Sequence, residues 1–141
     1  MATLFTMILD GEIPGRFVWR DERCAAFLTI APITTGHTLV VPVQEVDHWL
    51  DLDDEVAAHL MVVAKAVGRA QMAAFSPSRV GLIVAGLEVP HTHLHVVPME
   101  TEADLSFARA DHGATPTSLD AAAAALRTAL AAAGHPEVVG T

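Results

Sequence analysis

The sequence predicts an α+β domain built on an antiparallel sheet. Three observations carry that reading. Five short β-favouring runs are separated by turn residues; the runs surround a single long helical segment; and a second, alanine-rich helical segment closes the chain. With 141 residues a single domain is expected over 1–141, large enough to bury a core without covalent staples. The 52% hydrophobic content agrees with a compact fold rather than disorder.

In order, Leu4, Phe5 and Ile8 share a helical face, so a short N-terminal helix is expected before the Asp10-Gly11 stop. Arg16–Arg20 alternates and reads as a strand. Asp21-Glu22-Arg23 is a turn, and Cys24–Thr29 returns as a second strand, giving a hairpin. After a Pro/Thr/Gly loop, His37–Pro42 is a third strand. The acids of Asp51–Glu55 mark a helix N-terminus, with Asp51 or Asp53 as the cap. That helix runs to about Phe75 on a stripe of Leu60, Val63, Val67, Ala70 and Ala74, with Lys65, Arg69 and Gln71 off the stripe. Val80–Val84 is a fourth strand, and the Gly-containing connection 85–90 turns it into a fifth. Residues 100–116 are acidic and mixed, and Leu105 and Phe107 alternate there as a short edge strand or a hook for a partner. A C-terminal helix over about 117–133 starts on a Thr117/Asp120 capping box, presents Leu119, Leu126 and Leu130, and ends at Gly134.

The fifth run is His91-Thr92-His93-Leu94-His95-Val96-Val97, bracketed by Pro90 and Pro98. Residues two apart share a strand face, so three imidazoles line one side and Thr92, Leu94 and Val96 the core side. Imidazole is the side chain whose ordinary pKa lies nearest neutrality, and it serves as nucleophile, acid, base or metal ligand. Three-point chelation of one ion by these side chains fails, because His91 and His95 lie about 13 Å apart along an extended strand. A two-histidine metal site completed by His37 or Glu88 stays open as an alternative.

The charge balance limits partners. Seventeen acids against eight Lys+Arg leave −9, without the basic footprint of a nucleic-acid binder or of a protein drawn to anionic membrane. A small phosphate ligand held by local amides and imidazoles is compatible with that sign. The one cysteine, Cys24, permits no internal disulfide, and as part of an apolar run it reads as a buried small hydrophobe rather than a reactive thiol. No signal peptide or membrane-span pattern is evident, so a cytoplasmic setting is expected. Trp19 and Trp49 read as core or interface anchors, and His48, His59, His112 and His135 as surface or loop residues.

The His-φ-His-φ-His-φ-φ pattern of residues 91–97 resembles the signature of the histidine triad (HIT) superfamily, with Thr92 in place of the first apolar residue. Asp10–Pro14 is similar to the family's G-E-I-P turn, and Ala26–Leu28 through Gly36–Pro42 to its A-F-x-D-I-x-P…G-H-x-L-V-x-P block. The likeness covers about residues 3–99 and leaves 100–141 as an extension. It implies a five-stranded antiparallel sheet, usually in a homodimer, and a hydrolase or nucleotidyl transferase of the Hint-like branch. Such an enzyme acts at the α-phosphate of AMP-amine phosphoramidates or related purine nucleotides.

By that resemblance His93 is the nucleophile, His91 and His95 orient it and contact the phosphate, and His37 joins the cluster. Leu4, Phe5, Ile8, Phe27 and Ile30 fall on the nucleobase pocket, and no cofactor is implied. Three departures accompany it. Thr29 replaces the ribose-binding Asp, so ribose affinity is expected to drop by a charge-assisted hydrogen bond, about 1.5–3 kcal/mol. The turn over Gly86–Pro90 is short, with Ala85 or Val84 where an Asn is common and Glu88 near the family's Gln/Ser pair. Thr3 and Thr6 occupy the places of a Cys-x-x-Cys zinc site found in some members, so no structural zinc is expected. The alternative function is a purine-nucleotide-binding module with little turnover or, beyond that, a His-ligated metalloprotein.

Overall fold

The computed structural model describes residues 2–139. Three helices, α1 (Leu4–Leu9), α2 (Asp54–Phe75) and α3 (Pro116–Ala132), accompany five strands. The strands are β1 (Phe17–Arg20), β2 (Cys24–Leu28), β3 (Thr38–Pro42), β4 (Arg79–Ile83) and β5 (Leu94–Met99). They form one sheet in the order β1-β2-β3-β5-β4, antiparallel throughout. The α+β reading and the five-stranded sheet are therefore found in the structure, as is an added C-terminal helix. No helix among the described residues is long and apolar enough to cross a membrane.

Strand alternation sorts the core onto the two faces of the sheet. Val18, Cys24, Ala26, Val40 and Val96 face α2 and α3 and pack on Leu60, Val63, Val67, Leu126 and Leu130. Leu126 and Leu130 are fully buried, each stabilising the docked α3 by about 1.5–3 kcal/mol. Ala25, Phe27, Leu39 and Val41 face the other way and are covered by Phe5, Ile8 and Leu9 of α1. His95 pairs with Leu39 across the β3–β5 ladder, so its side chain belongs to the α1 face.

Hydrogen bonding and packing change four expectations. First, the fifth strand begins at Leu94 rather than at His91. Thr92 N–H and its hydroxyl both donate to Val46 O, at 2.7 and 2.8 Å. This ties the segment to the loop after β3 instead of to a ladder. Pro98, expected to close the strand, lies within it. Second, α3 is capped by Thr115, whose Oγ1 accepts from Ser118 N–H, and not by the Thr117/Asp120 box. Pro116 at the first helical position is pre-set for a helix start and shifts the cap to the residue before it. Third, residues 100–116 form two 3-10 turns, Glu102–Asp104 and Phe107–Arg109, instead of an edge strand. The Asp104 carboxylate accepts from the amides of Glu100 and Thr101, which rolls the chain into a turn. Fourth, Gln71 is fully buried, not off the apolar face. Helix α2 is covered by β3 and β5 on one side and α3 on another, so its buried arc is wider than one stripe.

Candidate active site

The site is built where the segment before β3 meets the start of β5. Gly36 permits the approach: its φ is +90°, and a Cβ there would fall 2.3 Å from the Phe75 ring. The next residue, His37, is buried and points to the α1 face of the sheet, where it meets His95.

Hydrogen-bond partners settle which ring nitrogen of each histidine carries hydrogen. The Ile33 N–H donates to His37 Nδ1 at 3.0 Å, so His37 is protonated at Nε2. Nε2–H then donates to His95 Nδ1 at 2.9 Å. Neutral His95 must therefore carry its own hydrogen on Nε2. His93 Nδ1 lies 2.7 Å from the His91 carbonyl and donates to it, which leaves Nε2 with a free lone pair. The His93 and His95 rings meet edge to face with centroids 4.8 Å apart. The result is a basic nitrogen on one ring beside an N–H on the next.

His91 differs. Its Nε2–H donates to Pro42 O at 2.8 Å, and its Nδ1 accepts the Thr3 hydroxyl at 2.8 Å. The ring is fully buried with both nitrogens engaged. The expected ring contact from His91 to a phosphate has no free nitrogen to make it; His91 orients His93 through its backbone carbonyl. Thr3 and Thr6 are also spent in this network, since Thr6 Oγ1 and Thr3 N–H both donate to Glu45 at 2.7 and 2.8 Å. Those two bonds hold the Glu45 carboxyl below its ordinary range.

Burial keeps the three site rings uncharged. It lowers His37 to about 4, helped by the charge of a protonated His93. It lowers His95 to about 3, with His93 and His37 adding to the effect. Burial lowers His93 as well, partly offset by the His91 carbonyl and by the charge of Glu88. A neutral imidazole with one nitrogen anchored on a carbonyl is the form a nucleophile needs.

The remaining expected residues divide. Phe5 stacks edge to face on His93 at 4.8 Å and on Phe27 at 5.7 Å, and all three are buried. Phe5, Ile8 and Phe27 form an apolar floor in the α1 core, whereas Leu4 (46% exposed) and Ile30 (75%) stand at the surface. Thr29 is half-buried and its Oγ1 accepts from Ala31 N–H, so one lone pair is already used in the turn. Glu88 is exposed, and its electrostatic link is with His93.

Three features escaped the sequence reading. A shallow depression beside His93 is lined by Asp47, Trp49, Val84, Ala85, Gly86 and Thr92. Phe107 stacks on His95 with centroids 4.9 Å apart and is half exposed, which brings the C-terminal segment to the site. Gln71 donates to Gly36 O and Val96 O, both at 2.9 Å, and so clamps the neighbours of His37 and His95 together. Nothing local in these stretches marks such contacts. A buried amide at a helix position read as polar is the nearest thing to a signal.

A family model described as HIT domain matches residues 10–102. An uncharacterized HIT-like protein of Borreliella burgdorferi is 34% identical over 113 residues, covering 75% of this chain and 81% of that one. Adenosine 5'-monophosphoramidase of Schizosaccharomyces pombe is 30% identical over 107 residues, covering 72% and 77%. Among solved structures, a Zn-bound histidine triad family protein from Mycobacterium smegmatis superposes with a TM-score of 0.80 at 28% identity, over 94% of this chain and 96% of that one. A hypothetical histidine triad nucleotide-binding protein from Sulfolobus tokodaii gives 0.78 at 26%, over 91% of each chain.

Proposed function

The chain belongs to the HIT domain family, and from that premise we propose that it is a nucleotide phosphoramidate hydrolase or nucleotidyl transferase. The reaction passes through a covalent nucleotidyl-His93 intermediate at the α-phosphate. Family membership and the likeness to a yeast phosphoramidase support action on nucleotides in general terms. The observation that carries the finer reading is His93: its Nδ1–H is anchored on the His91 carbonyl, and its Nε2 is free beside His95.

The chemistry follows from the hydrogen placement. His93 Nε2 forms a bond to the α-phosphorus as the phosphorus–nitrogen bond of the substrate breaks. The leaving amine takes a proton from solvent. His93 becomes a substituted imidazolium whose positive charge is stabilised by the Nδ1–H bond to the carbonyl. His95 Nε2–H donates to a non-bridging phosphoryl oxygen, where negative charge builds up. His95 acts as a donor and not as an acid, because His37 Nδ1 is committed to the Ile33 amide and the pair has no spare proton to release. Water then bonds to phosphorus, the phosphorus–Nε2 bond breaks, and one proton returns to solvent. Phe5, Phe27 and Ile8 supply an apolar floor for a purine.

We assign the protein to the cytoplasm as a homodimer, with β4, one of the two outer strands of the sheet, as the edge that pairing would cover. A binding module with little turnover is the second reading. It is favoured by Thr29, which offers no carboxylate to the ribose hydroxyls. The test is purified protein with adenosine and guanosine 5'-phosphoramidates. Release of the nucleotide monophosphate, with an acid-labile nucleotidyl adduct absent from His93→Ala, is expected. Tight nucleotide binding with neither product nor adduct selects the second reading and rejects the first.

A further inference from the structure

A second cluster of reactive side chains lies on the other face of the sheet. Asp21 comes from the β1–β2 turn, Cys24 begins β2, and His59 reaches them from α2, with one donor atom from each lying within 4.8 Å of the others. Cys24 packs in the core against α2, whereas His95 faces α1, so the sheet separates the two clusters. We propose that Asp21, Cys24 and His59 form a binding site for one divalent transition-metal ion of the zinc type, which fastens the β1–β2 turn to α2.

The geometry carries this in three ways. Carboxylate oxygen, imidazole nitrogen and thiolate sulfur are a donor set suited to zinc and its neighbours rather than to magnesium or calcium. The distances are near those of a metal centre. Asp21 Oδ2 lies 2.7 Å from His59 Nε2 and 3.6 Å from Cys24 Sγ. Bonds of about 2.0–2.3 Å in a tetrahedron place donors roughly 3.3–3.6 Å apart, so the sulfur–oxygen spacing already fits and the oxygen–nitrogen pair opens by about half an ångström. The carboxylate is also held from behind: Oδ1 accepts from the amides of Arg23 and Cys24 at 2.8 and 2.9 Å, and Trp19 Nε1–H donates to Oδ2 at 2.8 Å. Such outer contacts fix the orientation of a ligand.

Access and proton balance agree. Cys24 is buried, but the Asp21 and His59 side chains are 18% and 20% exposed, which leaves a solvent side for entry and for water as the fourth ligand. Burial and the neighbouring Asp21 charge keep the Cys24 thiol protonated. Binding therefore replaces its S–H by a metal–sulfur bond and releases one proton. His59 Nε2–H donates to Asp21 Oδ2 in the metal-free protein, and on binding the hydrogen moves to Nδ1 so that Nε2 turns its lone pair to the ion. The ion takes no part in phosphorus chemistry, and the site stands whether or not the proposed reaction occurs.

The test uses metal-stripped full-length protein titrated with Co²⁺ and then Zn²⁺. One equivalent of cobalt is expected, with the intense visible bands of a tetrahedral centre and a near-ultraviolet thiolate-to-cobalt band, all displaced by zinc. Affinity should rise about tenfold per pH unit through the release of one thiol proton. Cys24→Ser should remove the near-ultraviolet band, and His59→Gln should weaken binding, both with unchanged far-ultraviolet circular dichroism. A measurement free of variants is X-ray absorption on the zinc-loaded wild-type chain, where one sulfur neighbour at about 2.3 Å is expected. A shell of nitrogen and oxygen alone, a thiolate band that survives Cys24→Ser, or no saturable cobalt binding overturns the proposal.

Discussion

The two faces of the sheet use histidine in opposite ways. On the α1 face, His37, His93 and His95 contact carbonyl and amide groups and one another, but no carboxylate within hydrogen-bond reach. Burial then keeps them neutral, and the alternation of donor and acceptor nitrogens leaves one lone pair and one N–H facing the same space. On the α2 face, His59 meets the Asp21 carboxylate, which also gathers Trp19, Arg23 and Cys24. Burial works against that carboxylate, but these hydrogen bonds outweigh it and hold its pKa well below the ordinary range. The difference teaches that the partner, more than the residue type, decides what an imidazole does. Neutral partners preserve a nucleophile, whereas a charged partner makes a hub that fastens elements together.

The sharpest division between the faces is expected from His93→Ala, with a loss on the order of 10⁴-fold or more in phosphoramidate turnover. Its unfolding midpoint should move little by comparison. Loss of stability without loss of rate would show that the ring is structural. The converse change is Asp21→Ala in metal-stripped protein. It strands the donors of Trp19, Arg23, Cys24 and His59, and should cost about 2–3 kcal/mol in urea unfolding with turnover within a few-fold of wild type.

Gln71→Leu crosses the comparison, because this residue sits on the α2 side yet braces the histidine face. Removing both donors from Gly36 O and Val96 O should lower kcat by roughly tenfold to a hundredfold through misplacement of His37 and His95, with KM less affected. A KM effect alone would assign Gln71 to substrate binding instead.

Stability against pH separates the faces further. His37 titrates near 4 in the folded chain and near 6.5 when unfolded, so the unfolded chain binds more protons between those values. The stabilisation is fully present above pH 6.5 and is lost as pH falls towards 4. His37 alone accounts for about 1.5 kcal/mol between pH 6.5 and 5. Urea melts across that range check it, and His37→Gln should flatten the slope. The smallest effect is expected from Thr29→Asp. Restoring a carboxylate acceptor should tighten binding of a ribonucleotide, but not of its 2',3'-dideoxy analogue, by about tenfold or somewhat more. Equal gains for both would mean that the side chain at this position does not meet the ribose.

Much of this molecule was legible in sequence because its signals are local. The alternation over Arg16–Arg20 and the apolar β-branched run of His37–Pro42 mark strands, the acids before Asp54 mark the start of α2, and Leu119, Leu126 and Leu130 mark the buried side of α3. The histidine run advertised its chemistry by residue type alone. Its equivalence was misleading, however. Thr92 bonds to a residue 46 positions away, so the strand starts late, and His91 is closed off by Thr3 from 88 positions away.

The sequence by itself determined the α+β class, the five strands and the cluster of imidazoles, since each depends on the order of neighbouring side chains. Only the tertiary structure decided which histidine nitrogen is free, that Phe107 covers His95, that Gln71 clamps the segment before β3 to β5 and that His59 meets Asp21. All but the first are contacts between groups 12 to 38 residues apart, and the first depends on the fold of the 91–93 backbone, which sets the His91 carbonyl against His93 Nδ1. A hydrogen bond of that span has no periodicity to betray it. It exists once the sheet has brought distant segments within 3 Å, and the protonation pattern of the site joins one such bond, His37 to His95, to the short-range anchors on Ile33 and His91.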